Sequence, residues 1–357
     1  MLRLSRRDRA EARRRLADLT PQAQADACRE LRPEVRAEFF GLLESPEQIV
    51  PLLPEAELVH SVLAGGMSEA AWLLELATPE QRLACFDLDC WHGEELQLER
   101  VDEWLDALVE AGRPTLARAL GELDLELVLL SLWRETRVVV IDREDDPPDG
   151  FFSPDGMVYF EVGDEGSTHR VHEIAHATHS QDSPLYWRIV YGLLFETRTE
   201  CEENALRWHA RRLNDLGFPE RSDAMLVYRP LPPEQVEDFG RAELSSGVAV
   251  AHDLPRQFGG TLLAEALAEL PPASASDALG QVLAVANWLA VADRLRLSES
   301  ESIPTALGKA VRGIDGGLRE LVRRRNQPPA EVLARTRAID LFRAGATLDL
   351  ELRGPYR

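Results

Sequence analysis

Helix-start signals recur through the first third of this chain, and they limit that region to short helices. Ser45-Pro46, Leu53-Pro54, Gly65-Gly66 and Thr78-Pro79 interrupt the sequence roughly every dozen residues, the length of an ordinary helix. A hydroxyl caps the free N–H groups of a helix start, and proline after it suits the first turn, where no N–H is needed. Between the interruptions, Leu58, Val59, Val62 and Leu63, then Ala71, Leu74 and Leu76, follow a helical period. Trp104, Leu105, Leu108 and Val109 continue it, as do Leu125, Leu127, Val128 and Leu130. The pattern predicts stacked helical hairpins over residues 1–135.

The period then changes. Arg137-Val138-Val139-Val140-Ile141-Asp142 is short and β-branched, and Met157-Val158-Tyr159-Phe160-Glu161-Val162 follows a turn-rich stretch from Asp145 to Gly150. These two segments predict a β-hairpin. A helix is expected next, from Ser167 to about Ser180. Ser183-Pro184 opens another, serine at the N-cap, which can run to the stop signal Leu216-Gly217-Phe218-Pro219. Beyond Pro230 the chain is helical again, with a final strand expected from Thr347 to Leu352. The expected fold is mainly α: an N-terminal helical-hairpin array (1–135), a central β-hairpin with two long helices (136–230) and a C-terminal helical region (231–357).

An apolar content of 45% with 29% charged residues describes a globular chain able to bury a core. The net charge of −22 excludes nucleic acid as a partner, since nothing offsets repulsion from phosphates. The arginine-rich start, Met1 to Arg9, lacks the apolar core of a secretory signal, and Asp8, Glu11 and Asp18 count against a transit peptide. It reads as a polar amphipathic helix. No apolar run approaches the roughly 18 residues a membrane span needs, so no membrane insertion is expected. Cys28, Cys85, Cys90 and Cys201 include no C-x-x-C pair and read as reduced structural thiols of a cytoplasmic protein. Trp187, Trp208, Tyr186 and Tyr191 are expected to pack against the N-terminal helices. Lys309 is the only lysine.

Chemistry concentrates at residues 169–179, which hold four of the eight histidines. His172-Glu173-x-x-His176 is the pattern in which two histidines one turn apart bind Zn2+ and the glutamate acts as general base on a metal-bound water. Steps of three, four and three put His169, His172, His176 and His179 on one helical stripe. A hydrolase needs a third ligand, and Glu196 stands at the spacing of a metallopeptidase glutamate, twenty residues after His176. Geometry opposes it. With a turn near Gln181-Asp182, Glu196 falls opposite Ser167 to His169, about 13 Å beyond the partner position of His176 at the helical rise. Glu196 could reach His169, and a non-catalytic metal clamp through His172 and His176, completed by His179 or an acidic loop, survives that objection. So does a plain surface stripe of histidines.

Several segments resemble an uncharacterised bacterial family, domain of unknown function 6178. They are Leu76-Ala77-Thr78-Pro79-Glu80-Gln81 with Phe86-Asp87-Leu88-Asp89-Cys90-Trp91, and Glu202-Glu203-Asn204-Ala205 with Arg212-Leu213-Asn214-Asp215-Leu216-Gly217-Phe218-Pro219. Val227-Tyr228-x-Pro230-Leu231 and Leu341-Phe342-Arg343-x-Gly345 complete the set, in the family's order. The resemblance implies a largely helical cytoplasmic bacterial protein and brings no activity with it. The expected function is a soluble, non-enzymatic helical scaffold or interaction protein with an unidentified protein partner, able to hold a divalent metal on its histidine helix. The alternative is a zinc-dependent hydrolase with His172, His176 and Glu196 as ligands and Glu173 as base.

Overall fold

The computed structural model describes residues 8–141, 150–163, 165–238 and 258–353. The expected N-terminal helix before Asp8 and most of the turn from Asp145 to Gly150 lie outside these residues. Contacts divide the chain into two compact units, Met1–His209 and Ala210–Arg357.

The first unit begins with short helices, each started by a local signal. Asp8 caps α1 (Arg9–Ala17) by accepting from the Glu11 N–H, and Thr20 caps α2 (Pro21–Arg29) in the same way. After α3 (Arg36–Phe40), Ser45-Pro46 opens the single turn α4 (Pro46–Ile49), but the serine makes no capping hydrogen bond. Then come α5 (Glu55–Gly65), α6 (Trp72–Leu76) and α7 (Pro79–Asp89). Thr78 and Gln81 form a reciprocal capping box at the start of α7. The Gln81 amide also donates to the carbonyls of Val50 and Leu53 at 2.8 and 2.7 Å, so one side chain caps its helix and ties down the preceding turn. A two-residue hairpin, β1 (Trp91–His92) and β2 (Glu95–Leu96), leads into α8 (Leu98–Glu110), α9 (Arg113–Glu122) and α10 (Leu125–Glu135). Buried Arg82 forks onto Glu122 at 2.6 and 2.7 Å and locks α7 to α9.

The expected hairpin forms and gains a third strand. Strands β3 (Thr136–Val140) and β5 (Val158–Val162) pair antiparallel with Val138 opposite Phe160. The short β4 (Phe151–Phe152) joins the far edge of β5, so the sheet order is β3-β5-β4. The histidine helix α11 (Glu165–Gln181) follows, then α12 (Ser183–Phe195). Asp182, and not Ser183, is the N-cap of α12, accepting from the Leu185 N–H at 3.0 Å.

The single helix expected from Ser183 to Gly217 is two helices. α12 ends at Phe195, and α13 spans Arg198–Asp215. The cause is Thr197, whose hydroxyl accepts from the Glu200 N–H and donates to the Glu200 carboxylate at 2.7 Å, a cap that restarts the helix. The stop at Gly217 is as expected. Gly217 has φ +85°, and the Phe218 N–H reaches back to the Leu213 carbonyl at 2.9 Å.

The second unit holds α14 (Arg221–Ala224), α15 (Leu262–Glu269), α16 (Pro272–Ala292), α17 (Ser302–Arg325), α18 (Pro329–Arg335) and α19 (Ala338–Arg353). Helix α16 is long and apolar enough to cross a membrane by length and composition. Here Val282, Ala286, Leu289 and Ala290 are buried in the unit's core. Helices α17 and α19 touch backbone to backbone, because a Cβ on Gly317 would overlap the Leu341 carbonyl and one on Gly345 the Gly313 carbonyl. The strand expected from Thr347 to Leu352 is the end of α19. Its threonine hydroxyl donates to the Arg343 carbonyl one turn back, at 2.7 Å. Lys309 donates to Asp293 at 2.7 Å and to the Tyr228 hydroxyl, and its ammonium lies 4.8 Å from the centre of the Tyr228 ring.

Candidate functional site

Helix α11 carries two unlike faces. Its buried face is anchored by Arg170, which donates to Asp106 from α8 at 2.5 Å and to Glu135 at the end of α10 at 2.6 Å. Asp102 stands 3.7 Å away and also accepts from Ser131. Burial pushes the Glu135 carboxyl above its ordinary value, with the Arg170 charge acting the other way. Val171, Ile174, Ala175 and Thr178 are buried beside this network.

The histidine stripe lies along the other face. His169 is exposed, and His172, His176 and His179 are half-buried. The small sheet covers the middle of the stripe: the Phe152 ring stacks on His172 with centroids 3.5 Å apart and reaches His176 at 6.2 Å. His179 meets Tyr186 edge-on at 5.2 Å. The Tyr186 hydroxyl donates to Asp155 at 3.0 Å. Asp155 in turn accepts the backbone N–H groups of Met157 and Val158, which fixes the loop behind Phe152. Burial opposes charge on Asp155, yet these donors hold its carboxyl below the ordinary value. Burial is also the main reason that His172 is pushed down, with the neighbouring His176 adding to it. The stripe packs as aromatic surface.

The glutamate of the motif is engaged as well. Arg113, from the start of α9, forks onto both oxygens of Glu173 at 2.6 and 2.7 Å. That hydrogen-bonded pairing holds Glu173 below the ordinary carboxylate range. A general base needs an oxygen aimed at its water and a proton affinity near the working pH. Glu173 has neither.

Glu196 does not join the histidines. It is the C-cap residue of α12, where it accepts from the Cys201 thiol at 3.2 Å. His176 stands about 8 Å back along α11 from the turn and Glu196 about 20 Å out along α12, at the rise of an α-helix. Among the described residues, no three His, Cys, Asp or Glu side chains come together as a set able to hold a metal. The structure brings His172 and His176 together, ring centres 6.1 Å apart, with His169 and His179 a turn to either side. The catalytic ligand set of His172, His176 and Glu196 is not assembled.

A second place in the same unit carries more accessible chemistry. Leu123 to Glu126, the outer face of α12 and Trp208 of α13 line a cleft of about 670 Å³. Tyr191, Phe195 and Trp208, all in its lining, are exposed by 57%, 74% and 39%. Tyr191 and Trp208, expected to pack against the N-terminal helices, are exposed, and Tyr186 is buried against Phe160 and His179. Trp187, Tyr191 and Phe195 form a ladder at i, i+4 spacing, with successive centroids 6.0 and 6.1 Å apart. Gly192 seats this helix closely on α10, since a Cβ there would lie 2.5 Å from Leu129 Cδ1. Asp124, Glu126 and Glu196 share the lining with one cation, Arg188. Buried Cys201 beside them is raised to about 12, first by burial and then by Glu196, Glu126 and Glu200.

All four cysteines are free and buried. Burial pushes the thiols of Cys28, Cys85 and Cys90 up as well, so none offers a thiolate nucleophile near neutral pH. Near Cys85 and Cys90, buried His209 stacks on Trp91 at 4.3 Å and contacts Asp87 at 3.2 Å.

A profile of a family of unknown function, DUF6178, matches residues 13–356. No curated protein and no solved structure matches the chain.

Proposed function

The chain belongs to this family of unknown function, DUF6178, and from that premise we propose that it is a non-enzymatic helical interaction protein of the cytoplasm. One observation carries the reading. Three large aromatic side chains, Tyr191, Phe195 and Trp208, stand exposed around a single cleft. Exposed aromatic clusters of this kind mark binding surfaces, because they offer large apolar area at low entropic cost. The hydrolase alternative has less support, since its base is clasped by Arg113 and its third ligand stands elsewhere.

The test is comparative purification from extracts of the source cells. The wild-type chain should retain a protein that a Tyr191→Ser, Phe195→Ser variant loses, and neither should hydrolyse casein or model esters. Retention by both forms would sink the reading. So would zinc-dependent hydrolysis that disappears in Glu173→Gln.

A second reading has its own observation. Rings one turn apart, as His172 and His176 are, form a two-ligand clamp for a divalent metal. Calorimetric titration with Zn2+ should show weak binding that is lost in His172→Ala, His176→Ala. Equal binding by that variant would remove the clamp.

A further inference from the structure

We infer that the segment received by this cleft is basic as well as apolar: a stretch of protein whose arginine or lysine side chains lie among the exposed rings and the carboxylates. The inference rests on the interaction reading and adds the partner's chemistry to it. Charge complementarity is the argument. Among the residues that line the cleft, three are acidic, Asp124, Glu126 and Glu196, and one is cationic, Arg188. Glu196, Glu126 and Glu200 all act electrostatically on the Cys201 thiol, so their negative potentials superimpose where α12 meets α13. An anionic segment entering there meets repulsion, and a cationic one is attracted.

The rings supply the second half of the recognition. Tyr191 and Phe195 stack one turn apart at the end of α12, and Trp208 lines the cleft from α13. An ammonium or guanidinium within about 6 Å of such a ring is held by the ring's negative face. The methylene stem of the same side chain covers aromatic surface while its charged head faces the carboxylates. A lysine or arginine flanked by apolar anchors therefore satisfies ring faces, acids and apolar floor together. A wholly apolar segment leaves the negative potential of the cleft unanswered. A polybasic, non-apolar one leaves the rings uncovered.

The experiment is fluorescence anisotropy on the full chain with three short labelled peptides. They share the same leucine and tryptophan anchors and carry arginine, glutamine or glutamate at the positions between. The arginine peptide should bind tightest and the glutamate peptide weakest, with affinity falling as salt rises. Phe195→Ala, Trp208→Ala should weaken arginine-peptide binding by about tenfold or more at unchanged net charge, the loss expected of truncated anchors. Glu126→Gln, Glu196→Gln should bring the arginine and glutamine peptides closer in affinity. Binding that ignores the aromatic variant is general attraction to an acidic protein, and it overturns the inference. Equal binding of the arginine and glutamine peptides, still dependent on Phe195, overturns the basic partner while the interaction reading stands. Self-association that Phe195→Ala abolishes assigns the cleft to a second copy of the chain and also overturns it. No binding by any peptide, and no partner in the purification above, removes both.

Discussion

The histidine stripe of α11 and the aromatic cleft beside α12 differ in how much of their chemistry is already spent. The stripe carries a recognisable motif, yet its side chains are occupied. Phe152 lies on His172, Tyr186 meets His179, and Arg113 holds both oxygens of Glu173. The cleft carries no motif, yet Phe195 is 74% exposed and Tyr191 57%. Function requires groups that folding leaves available. A pattern of residue types says which chemistry is conceivable, and only the packing says whether folding has already used it.

The largest effect expected from breaking this contrast lies beneath the stripe. Arg170→Met removes the buried cation between Asp102 and Glu135 and leaves them only the more exposed Arg134. It should cost about 3–5 kcal/mol in equilibrium urea unfolding, the range for one-sided removal of a buried pair. A loss below about 1 kcal/mol would mean that α11 is held in some other way. Phe152→Ala uncovers His172 and His176 and should cost about 2 kcal/mol, roughly half the loss for a fully buried phenylalanine. A neutral result there would mean that the Phe152 ring does not cover the stripe. In the cleft, Phe195→Ala should leave unfolding within about 0.5 kcal/mol of wild type, as for a surface change away from the core. A larger loss would make the cleft a structural seam.

The smallest effect is a pH dependence. Arg113 lowers Glu173 below its ordinary value of 4.5, so the pair stabilises the fold above that pH and the contribution is lost as pH falls through the lowered value. The stability curves of wild type and Glu173→Gln should therefore diverge at neutral pH and converge in acid. His172, also lowered, acts in the same direction nearer neutrality. As pH falls below its ordinary value of 6.5, the unfolded chain takes up the proton first and the native state loses ground. A His172→Phe variant should flatten the wild-type curve in that span, and an unchanged slope there would remove His172 as its source.

The fold was readable wherever a signal is local. The Thr78 capping box, the Gly217 stop and the pairing of β3 with β5 each depend on residues close in sequence or on short runs rich in β-branched and aromatic residues. What was hidden depends on distance or competition. Arg113 and Glu173 are sixty positions apart, and no spacing rule joins them. Thr197 looks like an ordinary helix residue until its hydroxyl takes the Glu200 N–H and splits one expected helix into two. That split also places Glu196 at a helix end, with its side chain exposed. Tyr191 and Phe195 have the same i, i+4 spacing as a buried stripe, so sequence period alone cannot assign them to core or solvent. Thr347 to Leu352 alternates apolar and polar residues as a strand does, yet it belongs to a helix whose glycines let two backbones meet.

The clasp around Lys309 has a practical consequence. In a chain with a single lysine, amine-directed reagents have one side-chain amine as target, and that amine is bonded to Asp293 and Tyr228. A single label placed there is an address in the second unit, and its rate of attachment reads how often the clasp opens. The protein thus carries a built-in reporter of its second unit.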